Sequence, residues 1–192
     1  MPRPVLGTTA PPAPAPGHEA WSSLADCEPR VAEALRPWLA EPGLLTARVR
    51  AACGEAMSLR MVRLERVALA PGLRVALGVE DVDCLLREVE IGCGATRWIF
   101  AQSLFPSSSV ERYPWLGELG DRGLGEALSR VEDVRREPLE YLELPPSHEL
   151  ARAALGTDES NRALWARRAV YRLGGRPILV QEVFLPGLGR CG

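Results

Sequence analysis

The spacing of apolar residues changes along the chain, and each change predicts an element. Val31, Ala34, Leu35 and Trp38 recur at helical spacing, which predicts a helix from Cys27 to Leu39 with Asp26 as its cap and Pro29 in its first turn. Glu41-Pro42-Gly43 breaks it, and a second short helix is expected from about Leu45 to Cys53, so the first ordered residues read as a helix-turn-helix unit. After Met57 the period falls towards two. Met57 to Leu69, Cys84 to Cys93, Trp98 to Phe105, Leu139 to Leu144, Leu164 to Leu173 and Pro177 to Leu185 all read as strands. Leu173-Gly174-Gly175-Arg176 fits a tight hairpin, because paired glycines supply the positive φ angles of such turns. Between Pro106 and Arg130 the pattern returns to helical pieces broken by glycine, a second helical excursion over the sheet. Short links between consecutive strands imply a mainly antiparallel sheet, hence one α+β domain.

Alternation along two of these strands places charges on apolar faces. In Leu85 to Ile91, Leu85, Arg87, Val89 and Ile91 share a face, with Leu86, Glu88 and Glu90 opposite. In the last strand Glu182 shares its face with Ile178, Val180 and Phe184. An ionised group among hydrophobic neighbours is costly unless paired. Two readings follow: an internal Arg87–Glu182 salt bridge, or a pocket in which Arg87 holds a ligand carboxylate while Glu182 faces a hydroxyl or a leaving proton. Alternation does not decide between them. Arg167 and Arg168 straddle both faces and read as one solvated arginine and one at a sheet edge, with a catalytic role the lesser option. Ser107 to Ser109 read as a turn with no histidine partner, and Trp98 and Trp165 as core.

Composition narrows the partners. A chain of 192 residues, 46% hydrophobic, is long enough for one domain with a real core. A formal charge of -2 gives no reason to expect nucleic acid or an anionic membrane surface as partner, so the DNA-binding reading of the first two helices is weak. Residues 1–17 hold six prolines among small residues, so residues 1–19 are expected to be a disordered leader and residues 20–188 the folded domain. With no apolar h-region and no run long enough to span a bilayer, the expected location is the cytoplasm. Five cysteines without a CxxC pair indicate neither a zinc ribbon nor a disulfide framework, and reduced thiols are expected. Only two histidines occur, His18 and His148, which makes metal-free chemistry the default.

Five motifs together resemble a family. They are Leu86-Arg87-Glu88-Val89; Trp98-Ile99-Phe100-Ala101-Gln102-Ser103 ending in Pro106; Leu116-Gly117 with Gly123-Leu124-Gly125; Leu164-Trp165-Ala166-Arg167-Arg168; and Pro177 to Pro186 with its terminal Glu-x-Phe-Leu-Pro. In order and spacing this run, from about Trp38 to Pro186, resembles the chorismate pyruvate-lyases. The resemblance implies a six-stranded antiparallel sheet and a ligand buried behind two helical flaps, with no metal or organic cofactor. It implies elimination of pyruvate from chorismate to give 4-hydroxybenzoate on the route to ubiquinone, and a monomer. Carried over by position, the family's ligand contacts fall on Leu45 in the first flap, Arg87, Leu124 in the second flap, and Glu182, with Arg87 and Glu182 as the catalytic pair. The chain departs from the family pattern at two places: the second flap's usual Pro-Leu-Gly is Gly123-Leu124-Gly125, and Ala169 stands where a serine follows the Arg-Arg pair. Glycine for proline frees the flap's backbone. The competing classes are an aromatic-acid sensing domain of the same architecture, as in some transcription regulators, and a chorismate enzyme with another product.

Overall fold

The computed structural model describes residues 21–156 and 162–191, so the expected leader, residues 1–19, lies outside the described residues. Among the described residues, seven strands build one antiparallel sheet: β1 (Met57–Ala68), β2 (Asp83–Cys93), β3 (Thr96–Pro106), β4 (Val134–Arg136), β5 (Glu140–Leu144), β6 (Leu164–Leu173) and β7 (Arg176–Phe184). Their order is β1-β2-β3-β7-β6, with β4 and β5 pairing different stretches of β6 along its outer edge. The α+β reading holds. The strand beyond the expected six is β4, whose three residues carry too short an alternation to read. Gly174 and Gly175 turn the β6–β7 hairpin with φ of 52° and 85°, the positive angles a tight hairpin demands.

Helices cover both faces of the sheet, which is why β2 and β3 are buried almost continuously. On the near face lie α1 (Leu24–Cys27), α2 (Arg36–Leu39) and α3 (Leu45–Cys53), which pack a core of Leu39, Leu45, Val49, Val89, Ile91, Trp98 and Ile99. Beside them α5 (Ser107–Arg112), a 3-10 turn (Pro114–Glu118) and α6 (Leu124–Leu128) pack Leu116, Leu119 and Leu128 on Phe105 and Ile178. On the far face α4 (Pro71–Leu77) packs Leu77 against Leu86 and Leu104, and α7 (Glu149–Leu155) packs Leu150 and Ala154 against Phe100 and Val183.

Three expectations fail locally. The helix expected from Cys27 to Leu39 is broken into α1, a 3-10 turn at Glu28–Arg30 and α2, because Pro29 and Pro37 each open a new piece and Val31 between them is extended. The cap of α1 is Ser23, whose hydroxyl accepts from the Asp26 amide, rather than Asp26. Ser107 to Ser109 open α5 instead of forming a turn, and the buried Ser109 hydroxyl donates to the Pro177 carbonyl at 2.7 Å.

A row of polar side chains crosses the far face, one per strand and each at the register of the next: Arg63, Glu88, Gln102, Gln181, Arg168 and Glu140. Gln102 Nε2 donates to Glu88 and Gln181 Nε2 donates to Gln102, each at 2.9 Å. Arg63 lies 3.8 Å from Glu88, and Arg168 donates to Glu140 at 2.8 Å. The row satisfies groups that burial between α4 and α7 would otherwise leave unpaired.

The cysteines also depart from expectation. Cys93 and Cys191 are disulfide-bonded across a sequence separation of 98, because the chain after β7 turns back over the end of β2. There the Leu185 amide donates to Trp98 O at 2.8 Å and Trp98 Nε1 donates to Arg190 O at 2.5 Å. Cys27, Cys53 and Cys84 keep free thiols. No helix among the described residues is long and apolar enough to cross a membrane.

Candidate active site

A cavity opens between the near face of the sheet and the first turns of α3 and α6. The floor is the near face itself: Arg87, Val89 and Ile91 from β2, Ala101 and Ser103 from β3, Val180 and Glu182 from β7, Arg167 and Tyr171 from β6. Gly43 to Thr46 and Leu124 to Gly125 form the roof. The two roof segments touch each other. A Cβ placed on Gly125 would lie 2.4 Å from Leu44 Cδ2, so the absence of a side chain there lets the flaps close together. Neither α3 nor α6 has a side-chain cap, so no capping side chain covers the ends that lie over the cavity.

All four residues singled out from the sequence line this cavity: Leu45, Arg87, Leu124 and Glu182. Arg87 and Glu182 do not pair with each other. They stand on strands separated by β3, two inter-strand spacings or about 10 Å apart, and each has other partners. Arg87 Nη2 donates to the carbonyls of Gly120 and Arg122 at 2.8 and 2.7 Å, which ties the second flap to the sheet. Its Nε is buried with no hydrogen-bond partner among the described residues. Arg87 is only 2% exposed, and burial lowers its guanidinium to about 10, with Asp121 pulling the other way. It therefore carries its charge at neutral pH with the Nε donor unused.

Glu182 is paired by Arg167, whose Nε donates to Oε2 at 2.6 Å. Arg167 Nη1 also reaches the carbonyls of Glu41 at 2.7 Å and Leu39 at 3.2 Å, the backbone leading into the first flap. The expectation of one solvated and one edge arginine therefore fails at Arg167, which is 2% exposed. Residue 167 stands directly opposite Glu182 in the register of β6 and β7, and 168 turns to the far face. That register is the signal sequence reasoning missed, since alternation gives faces but not which residues of two strands are opposite. Tyr171, also on this face, was not singled out. Burial raises its phenol, with Glu182 adding to the effect, so it stays protonated across the neutral range.

The first flap is held by Glu41. Its Oε1 accepts from the Gly43 amide and its Oε2 from Arg48 Nη1, both at 2.9 Å, and Arg48 lies over the Trp38 ring. The hydrogen bond from Arg48 keeps the Glu41 carboxyl below its ordinary range, with the Gly43 amide helping. The cavity thus counts two arginines and one carboxylate, an excess of one positive charge under an apolar roof. Such a site favours an anion with an apolar body.

Residues 16–189 match the family model described as chorismate lyase. The chain belongs to the chorismate lyase family. It is 41% identical over 169 residues to a probable chorismate pyruvate-lyase of Azoarcus sp. strain BH72, an alignment covering 83% of this chain and 88% of that protein. It is 38% identical over 162 residues to one from Dechloromonas aromatica strain RCB, covering 80% and 88%. The family's reaction class is that of a lyase acting on chorismate. Among solved structures, the effector domain of PhnF from Mycobacterium smegmatis superposes with a TM-score of 0.54 at 16% identity, covering 78% of this chain and 91% of that domain. That likeness establishes a shared fold and nothing of ligand or activity.

Proposed function

We propose that the protein eliminates pyruvate from chorismate to form 4-hydroxybenzoate, with the ligand enclosed between the sheet and the two flaps. The observation that carries this reading is Arg87: a buried, charged guanidinium in the lining of a cavity of positive excess, with its Nε lacking a hydrogen-bond partner among the described residues. A ring carboxylate would pair with that guanidinium. First-turn amides around Leu45 and Leu124 add hydrogen bonds from the roof, where the partial positive end of α3 favours an anion. Glu182, steadied by Arg167, accepts from the ring hydroxyl.

The reaction breaks the ether bond between the ring and the enolpyruvyl oxygen and removes the hydrogen from the hydroxyl-bearing ring carbon. The ring becomes aromatic, and the departing enolpyruvate takes up a proton to become pyruvate. Aromatisation supplies the driving force, so the residues mainly hold a reactive conformer and exclude water. Arg87 and the roof amides fix the carboxylate. Glu182 either orients the hydroxyl or takes the ring proton. Because the grip on the substrate's carboxylate also grips the product's, release should be slow and 4-hydroxybenzoate inhibitory. The product would then serve the ubiquinone route, and the protein would act in the cytoplasm as a monomer.

The test is to incubate purified protein with chorismate, without added metal, and to quantify 4-hydroxybenzoate by chromatography and pyruvate by a coupled assay. Equal amounts of both support the reading. Tight binding of 4-hydroxybenzoate without turnover would assign the cavity to sensing instead.

A further inference from the structure

Outside the cavity, three sulphurs meet at the far end of the first flap helix. Cys53 closes α3, Cys93 closes β2, Cys191 lies in the C-terminal segment, and their Sγ atoms all lie within 4.8 Å of one another. The backbone holds this meeting in place. Met57, four residues after Cys53, is the register partner of Cys93, and the Gly94 amide donates to Ala56 O at 2.7 Å. Cys93 is fully buried, Cys53 partly buried and Cys191 exposed.

We propose that Cys53 is an exchanging thiol, which moves the disulfide from Cys93–Cys191 to Cys53–Cys93 and so trades a tethered C-terminus for a tethered flap helix. The Cys53 thiol releases its proton to solvent and its sulphur attacks Cys93 Sγ. The Cys93–Cys191 bond breaks, and the Cys191 thiolate leaves and is protonated. One disulfide exists before and after, so no external oxidant or reductant is consumed. Attack at Cys93 is favoured because it expels the exposed sulphur, the better solvated thiolate.

The two isomers differ in what they hold. In the first, the segment after β7 is bound, with Leu188 against the core and Arg190 O accepting from Trp98. In the second, that segment is released and the C-terminal end of α3 is fixed to the sheet, while its other end, Leu45, forms part of the cavity roof. Burial pushes the Cys53 thiol up, which makes it a slow nucleophile and lets the isomers be trapped separately.

The full chain is incubated, alkylated with N-ethylmaleimide, digested without reduction and mapped by mass spectrometry. The expected result is a fraction in which the Cys53 adduct is lost, a Cys53–Cys93 linkage appears, and Cys191 gains the adduct in equal measure. Cys53→Ser should show only Cys93–Cys191. Cys191→Ser, treated with oxidised glutathione, should close Cys53–Cys93 and slow amide hydrogen exchange across residues 45–53 relative to Cys53→Ser. Circular dichroism of each variant establishes that it has folded. Complete alkylation of Cys53 in the wild type, with no Cys53–Cys93 closure in folded Cys191→Ser, overturns the proposal. So does stoichiometric zinc in the reduced protein that is lost in Cys53→Ser, which would make the three sulphurs a metal site. None of these readouts depends on lyase activity.

Discussion

Replacing Arg87 by Met separates what this side chain costs the fold from what it gives the ligand. The fall of the guanidinium from its ordinary value to about 10 corresponds to roughly 3 kcal/mol of disfavoured charge at about 1.36 kcal/mol per pH unit. Against that stand the two hydrogen bonds to Gly120 and Arg122, each worth about 1.5 kcal/mol or more because the donor is charged. The two nearly cancel, and methionine fills a similar volume. The unliganded variant is therefore expected within about 1.5 kcal/mol of wild type, a Tm change of roughly 6 °C or less for a domain of this size. The liganded comparison should differ sharply. At about a hundredfold excess over Kd, 4-hydroxybenzoate should stabilise wild type by about 2.7 kcal/mol, or roughly 5–11 °C. Losing a buried charged partner costs about 2–5 kcal/mol of binding. At the same concentration the variant's shift should then fall below about 3 °C. Differential scanning fluorimetry of both proteins, with and without 4-hydroxybenzoate, reads all four numbers. A variant that keeps the full ligand shift, or one that loses about 15 °C without ligand, would refute the account of Arg87 as an anchor at little net cost to the fold.

Arg167→Met should behave in the opposite way, losing about 3–5 kcal/mol because Glu182 and the Leu39 and Glu41 carbonyls are left without their donor; Arg167→Met with Glu182→Gln should recover part of it by urea denaturation. Glu182→Gln alone should lower kcat far more than it raises the Kd for 4-hydroxybenzoate, since the amide still reaches the hydroxyl; unchanged kcat would remove Glu182 from the reaction. Gly125→Ala should push the partly exposed Leu44 aside, loosen the roof and speed product dissociation in stopped-flow displacement, with stability changed by no more than about 1 kcal/mol. The Glu41 carboxyl titrates below its ordinary range when folded, so its contribution is complete above that range and is lost as pH falls through the depressed value. Acid unfolding of Glu41→Gln should therefore begin from lower stability and show a shallower loss than wild type.

Period-two alternation carried most of the sheet, because β2, β3, β6 and β7 are long and their inward faces are mostly apolar apart from the site charges and Ser103. The same alternation exposed Arg87 and Glu182, since a charge on an apolar face stands out. It could not pair them. Partnership depends on which strands are neighbours, and the insertion of β3 between β2 and β7 hands Glu182 to Arg167 instead. The disulfide was illegible for a related reason: the Cys93–Cys191 contact is made by the path of the chain after β7 rather than by a spacing. At the N-terminal end, Pro29 and Pro37 interrupt a helical period that the apolar residues alone would have sustained.

The polar row on the far face has a consequence for anyone who would reshape the cavity. Four of its six members are chain neighbours of cavity residues: Glu88 follows Arg87, Gln102 precedes Ser103, Arg168 follows Arg167 and Gln181 precedes Glu182. A strand that slipped by one position would turn its cavity-lining side chain away from the cavity and simultaneously strand a buried amide or carboxylate without a partner. Misaligned sheets are thus rejected on the face opposite the cavity. Libraries aimed at other acids can vary Val89, Ile91, Ala101 and Val180 while the far side is kept constant, and that side, rather than the cavity lining, is where a redesign should be most conservative.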